Sequence, residues 1–193
     1  IGPQALLTAM ADAQDARTGD FDACLGEPGF LERFLAANLG STTHISVLDA
    51  GGMACAVTCS NGEGSGIVVP GTGIHLNNMM GEEDLNPHGF FQAEPGRRMP
   101  SMMAPTIVLG ASGDVELVLG SAGSNRIRSA LLQTIVRALD EGADAGAAIT
   151  APRLHLEGPT VYAEPGAVPS GFDPGPERRL ALFRERNLFF GGV

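Results

Sequence analysis

Residues 38–60 read NLGSTTHISVLDAGGMACAVTCS, and the fold turns on how this stretch divides. After Gly40 and Ser41, residues 44–49 (HISVLD) alternate, Gly51 and Gly52 offer a turn, and residues 53–60 (MACAVTCS) alternate again. Period-two alternation on both sides of a glycine pair is the pattern of a β-hairpin. Two threonines, Thr42 and Thr43, stand at the mouth of the first strand. Small and hydroxyl residues there fit a plain loop feeding a strand. That is the ordinary reading of such a threonine taken alone; the sharper one is a hydroxyl nucleophile that cuts the chain ahead of itself. The hairpin alone leaves both readings open.

Upstream, residues 3–16 have Pro3 at a first helical turn followed by strong helix formers, and residues 30–40 (FLERFLAANLG) form a second short helix closed by Gly40. Downstream, residues 61–66 (NGEGSG) are a glycine loop, residues 73–78 (GIHLNN) a short strand, and residues 78–104 mostly irregular. A second hairpin spans residues 105–120, turning at Ala111, Ser112 and Gly113. A helix starts near Asn125, with Ile127, Ala130, Leu131, Thr134, Ile135, Ala138 and Leu139 at helical spacing, and ends at Gly142. Residues 144–151 form a short helix stopped by Pro152; RLHLE (153–157), TVYAE (160–164) and ERNLFF (185–190) read as strands. Strands arriving in hairpins between helices predict an α+β fold whose sheets are largely antiparallel and covered by helices.

Composition narrows the partners. The chain has 193 residues, 44% of them apolar, so it can bury a core. Its formal charge of -10 argues against nucleic acid or an anionic membrane as partner, since phosphate binding needs a basic face. No stretch reaches the roughly 20 apolar residues that a spanning helix needs. No signal segment is visible, so the compartment is not specified. Cys55 and Cys59, four residues apart on one strand face, read as small buried hydrophobes. With Cys24 they make an odd count, against a disulfide framework, and no cysteine or histidine spacing fits a metal.

Beyond the hairpin, TTHISVLDAGGMACAVT is followed by GSGIVVPGTGIHLNN, PSMMAPTIVL, GSAGSNRI and APRLH, in that order. This succession resembles the small-subunit region of the γ-glutamyltransferases, a branch of the N-terminal-nucleophile hydrolases, over about residues 41–155. The resemblance implies a four-layer αββα sandwich of antiparallel sheets, incomplete in this chain. It implies that residues 1–41 are the helical tail of a large-subunit region and 42–193 a small-subunit catalytic region, truncated at its C-terminus. The large-subunit region of the same precursor is then a partner. No cofactor or metal is expected. Members of the family are often periplasmic or extracellular.

The resemblance also assigns roles. The family precursor cleaves itself before a threonine, which becomes the N-terminal nucleophile; Thr42 matches it, so the cut falls between Ser41 and Thr42. Ser60 stands where a second threonine hydroxyl supports the nucleophile. Gly123 and Ser124 match a Gly-Gly pair whose amides form the oxyanion hole, although GSAGSNRI alone reads equally as a helix-capping turn. Asn61 matches an asparagine that contacts the glutamyl group. Glu82 matches the acid that meets its α-amino group, although the run Glu82, Glu83, Asp84 alone fits a solvated loop. Ser101 keeps the first of two serines that meet the α-carboxylate. Met79 and Met102 replace an amide and the second serine. His44 shares a face with Thr42 and reads as structural. The implied reaction is transfer or hydrolysis of the γ-glutamyl group of glutathione-like amides. The two methionines keep open an amidase of the cephalosporin or glutaryl acylase kind, and a non-catalytic paralogue or inactive fragment is the rival from another class.

Overall fold

A computed structural model of the chain describes residues 2–15, 42–86, 88–92 and 94–193. The proposed second helix, Cys24 and Ser41 lie outside the described residues. The decisive hairpin is present. β1 (Thr42–Leu48) pairs antiparallel with β2 (Ala54–Ser60), in a register that sets Thr42 opposite Ser60 and Leu48 opposite Ala54. Asp49 closes the turn, its Oδ1 accepting from the amides of Gly51 (2.8 Å) and Met53 (2.9 Å). β3 (Thr106–Leu109) and β4 (Val115–Leu119) make the second antiparallel hairpin. β4 runs against both β1 and β2. Ser46 Oγ donates to the Val118 carbonyl at 3.2 Å, and the His44 ring fills the space a side chain at Gly120 would need. The strand that begins at Thr42 is thereby tied to the strand that leads into GSAGSNRI.

α2 (Ile127–Leu139) follows a 3-10 turn at Ser124–Arg126 and buries Ile127, Ala130, Leu131 and Thr134, the face its spacing predicts. Ile127 and Leu131 pack on Leu119, with Met103 and Leu117 beside them. α3 (Ala145–Thr150) is capped by Asp144, which accepts from the Ala147 amide at 2.7 Å. Beyond it lie β5 (Leu154–Glu157), β6 (Thr160–Ala163) and β7 (Arg179–Leu182), in sheet order β5-β6-β7. α1 (Pro3–Asp15) seats Leu7 and Met10 on Leu154, Leu156 and Val161.

Four expectations need correction. β7 is parallel to β6, so the third sheet is mixed; the connection after Ala163 returns the chain to the same end of the sheet. Residues 185–190 are not a strand. Leu188–Phe190 is a 3-10 turn, and Phe189 and Phe190 are buried against Tyr162 and Phe183; aromatic packing overrides strand propensity there. Residues 73–78 form no strand beyond one bridge, Val68 to His75. Cys55 and Cys59 are exposed. They share the outer face of β1 and β2 with Ile45 (55% exposed), Val47 (52%) and Val57 (42%), so that face is apolar yet uncovered among the described residues.

Candidate active site

One pocket gathers residues from segments far apart in sequence: Thr42, Ser60, Gly62, Glu63, Met79, Glu82, Leu85, Ser101, Met102, Met103, Ser124 and Ile127 line it. The hairpin register brings the first pair together. Thr42 and Ser60 are cross-strand partners, and Thr42 Oγ1 donates to Ser60 Oγ at 3.0 Å. Ser60 Oγ also accepts from the Gly62 amide at 3.0 Å, which fixes the serine's rotamer. His44 spends both ring nitrogens elsewhere: Nδ1 lies 2.7 Å from Thr58 Oγ1 and Nε2 2.9 Å from Ser46 Oγ. Neither ring nitrogen bonds Thr42 Oγ1, and the ring lies against Gly120.

The turn before α2 forms another wall. Gly123 has φ 128°, and a Cβ there would sit 2.7 Å from the Gly191 Cα, so the position requires glycine. Ser124 has φ 53°, left-handed for a residue with a side chain. Its Oγ donates to Asp84 Oδ2 at 2.9 Å. Neither the Gly123 nor the Ser124 amide donates to another described residue. Two unused amides where a 3-10 turn leads into a helix are suited to an anion.

The segment that carries Asn78 and Glu82 is held against the glycine loop. Glu82 Oε1 accepts from the Glu63 amide at 2.8 Å, as does Asn78 Oδ1 at 2.8 Å. Burial raises the Glu82 carboxyl above the usual range; the Glu63 amide pulls it back, and Glu63 and Asp84 push it further up. Such a carboxyl gains by meeting a cation. Ser101 is exposed at the rim, and its Oγ accepts from the Met103 amide at 3.1 Å. Asn61 is exposed and does not line the pocket; its carbonyl holds the loop by accepting from the Gly64 and Asn78 amides, each at 3.1 Å. Met79, Met102, Met103, Leu85 and Ile127 make much of the wall apolar. The Asp84–Ser124 bond went unanticipated, because nothing in the spacing links residues 40 apart.

Among the described residues, no group of three His, Cys, Asp or Glu could hold a metal, and no helix is long and apolar enough to cross a membrane.

The pocket thus sets a hydrogen-bonded pair of hydroxyls beside a turn with two unused amides. The family comes from comparison. The family model described as Gamma-glutamyltranspeptidase matches residues 18–175, and the chain belongs to that family. It is 39% identical over 126 residues to the glutathione hydrolase proenzyme of Escherichia coli, covering 59% of this chain and 22% of that protein. It is 37% identical over 119 residues to the acylase ACY 1 proenzyme of a Pseudomonas strain, covering 61% of this chain and 21% of that protein. Among solved structures, the gamma-glutamyltranspeptidase of Pseudomonas nitroreducens complexed with L-DON superposes with a TM-score of 0.60 at 29% identity, covering 77% of this chain and 85% of that one. The mixed helices and sheets are therefore those of the gamma-glutamyltranspeptidase fold. The chain spans 22–24% of the length of the curated relatives it matches first.

Proposed function

We propose that this chain carries the catalytic region of an N-terminal threonine acyltransferase that takes the γ-glutamyl group from glutathione or a related amide. Thr42 is the nucleophile, and the observation that carries the reading is its Oγ1, 3.0 Å from Ser60 Oγ, within the pocket that also holds Glu82, Ser101 and Ser124. In the precursor, Thr42 Oγ1 attacks the Ser41 carbonyl carbon and the Ser41–Thr42 C–N bond breaks. Water hydrolyses the resulting ester, leaving Thr42 with a free α-amino group. An α-amine titrates at about 7.7–8.0, so a neutral fraction is available to take the hydroxyl proton. Thr42 Oγ1 then attacks the γ-carbonyl of the donor. The oxyanion is met by the amides of Gly123 and Ser124, and the amine leaves with the proton. Water or an amino compound releases the acyl group from the ester. Glu82 meets the donor's ammonium and Ser101 its carboxylate; Asn61, outside the pocket lining, acts only through the loop that its carbonyl holds.

Residues 1–41 are the tail of the large-subunit region and 42–193 the small-subunit region. The large-subunit region of the same precursor covers the apolar outer face of β1 and β2 and completes a four-layer αββα sandwich. The exposed Ile45, Val47 and Val57 favour this arrangement, since such a face is costly to leave in water.

A second reading has one specific observation in its favour. Met79 and Met102 line the pocket, and a thioether cannot supply the strong hydrogen bonds a glutamyl head group uses. An acylase acting on glutaryl-type amides, in line with the likeness to the ACY 1 proenzyme, would suit that wall. Turnover of γ-glutamyl-p-nitroanilide against glutaryl-p-nitroanilide by the full-length protein separates the two. Preference for the γ-glutamyl substrate supports the first reading, and preference for the glutaryl one overturns it in favour of the second.

A further inference from the structure

The turn that carries Gly123 and Ser124 has little of its own to hold it. Its backbone supplies two bonds, from the Arg126 amide to the Gly123 carbonyl at 3.1 Å and from the Ile127 amide to the Ser124 carbonyl, and no side chain caps it. Ser124 stands in the left-handed region, which an L-residue adopts only at a cost that its surroundings must offset. The residues packed behind the turn are charged, polar and buried. Asn125 is 1% exposed, Arg126 2% and Glu157 4%. Asn125 Nδ2 donates to Glu157 Oε1. Asn125 Oδ1 accepts from Arg126 Nη1 at 2.7 Å. Arg126 Nε donates to the Phe189 carbonyl at 3.0 Å, and its guanidinium lies 5.0 Å from the centre of the Phe189 ring. Glu157 Oε2 faces His155 Nε2 at 3.7 Å, and His155 Nδ1 is 2.8 Å from Ser129 Oγ in α2.

Glu157 stands at the end of β5, more than thirty residues from the turn in sequence, and has no place in the acyl-transfer chemistry. Leaving a buried carboxylate in the core is costly unless it is bonded, and here its bond goes to the residue that follows Ser124. We propose that Glu157, acting through Asn125, is a positioning residue: it fixes the amides of Gly123 and Ser124 in the orientation that receives the oxyanion. Asp84 holds the same turn from the pocket side through Ser124 Oγ, so the turn is clamped between two carboxylates, with Arg126 in the field of both. A loose turn would still admit substrate but would meet the transition state poorly.

The inference rests on the acyl-transfer reading for its kinetic arm and is independent of it for its structural arm. The test compares the full-length protein with Glu157→Ala, Glu157→Gln and Asn125→Leu. Turnover of γ-glutamyl-p-nitroanilide is split into kcat and KM, and amide hydrogen exchange is followed over residues 120–127. Glu157→Ala and Asn125→Leu should lower kcat about 10- to 100-fold with KM within about twofold, the size expected of a small misplacement of catalytic donors. Glu157→Gln, which keeps an oxygen for Asn125 Nδ2, should recover most of the loss. Exchange should quicken at residues 120–127 in the first two variants while α2 and β5 stay protected. Unchanged kcat with unchanged exchange overturns the proposal. So does exchange that rises equally across α2 and β5, or collapse of both variants, either of which makes the pair a core contact only. A wild-type protein that turns over no γ-glutamyl amide, yet shows the local exchange response, would sink the functional reading and leave this one standing.

Discussion

Removing one oxygen atom should expose how much Thr42, the proposed nucleophile, depends on its neighbour across the hairpin. Ser60→Ala deletes the acceptor of the Thr42 hydroxyl (3.0 Å) and one acceptor of the Gly62 amide (3.0 Å). Two neutral hydrogen bonds contribute about 0.5–1.5 kcal/mol each, together about 1–3 kcal/mol. If that energy is felt at the reacting hydroxyl, at about 1.4 kcal/mol per tenfold, kcat and the rate of self-cleavage both fall about 5- to 150-fold. The fold should be little affected, because β1 and β2 keep their ladder and their contacts with β4. The assay is a time course of precursor splitting by gel and intact mass, followed by kcat on a γ-glutamyl anilide. Ser60→Thr, which restores the oxygen, should recover most of both rates. Ser60→Ala protein that splits and turns over like the wild type would refute the reasoning.

Three further outcomes are expected. Gly123→Ala should lower both stability and kcat, because its Cβ must displace the Gly191 backbone from 2.7 Å at a φ of 128°; a loss of about 1–3 kcal/mol corresponds to roughly 2–12 °C in Tm by calorimetry. Exchanging Met79 for Gln and Met102 for Ser should shift the kcat/KM ratio of γ-glutamyl over glutaryl anilides upward by about tenfold or more, since a hydrogen bond to a charged group contributes about 1.5–3 kcal/mol. Burial holds His155 below its usual range, against the pull of Glu157 and with Arg126 and Arg128 adding to the depression. The unfolded chain therefore binds a proton that the folded chain refuses, and this contribution to stability is present above about pH 6.5 and lost as pH falls below it. Denaturant midpoints measured from pH 7.5 to 5.5 should decline, and His155→Gln should flatten the decline.

Local pattern made the first half of the site readable. Alternation around Gly51 and Gly52 specified the hairpin, and the hairpin register alone sets Thr42 across from Ser60. Helical spacing from Ile127 marked α2, and with it the turn at Ser124–Arg126 that leads into it. What the spacing could not carry were contacts between remote segments. The Ser124–Asp84 and Asn125–Glu157 bonds join loops and strand ends that have no periodicity to mark them. The parallel β7 depends on where a connection rich in Gly and Pro returns, which no local rule specifies. Phe189 and Phe190 have strand propensity but are claimed by Tyr162 and Phe183. Cys55 and Cys59 sit on an apolar strand face as their spacing suggested, yet that face is uncovered among the described residues, so burial did not follow from pattern.

The mass of the mature full-length protein settles whether Thr42 is the nucleophile. Wild-type precursor should resolve into two chains, the second beginning at Thr42, with turnover appearing as that chain accumulates; Thr42→Ala should remain one chain without activity. Turnover by a protein whose Ser41–Thr42 bond is still intact, or undiminished turnover by Thr42→Ala, would contradict the assignment.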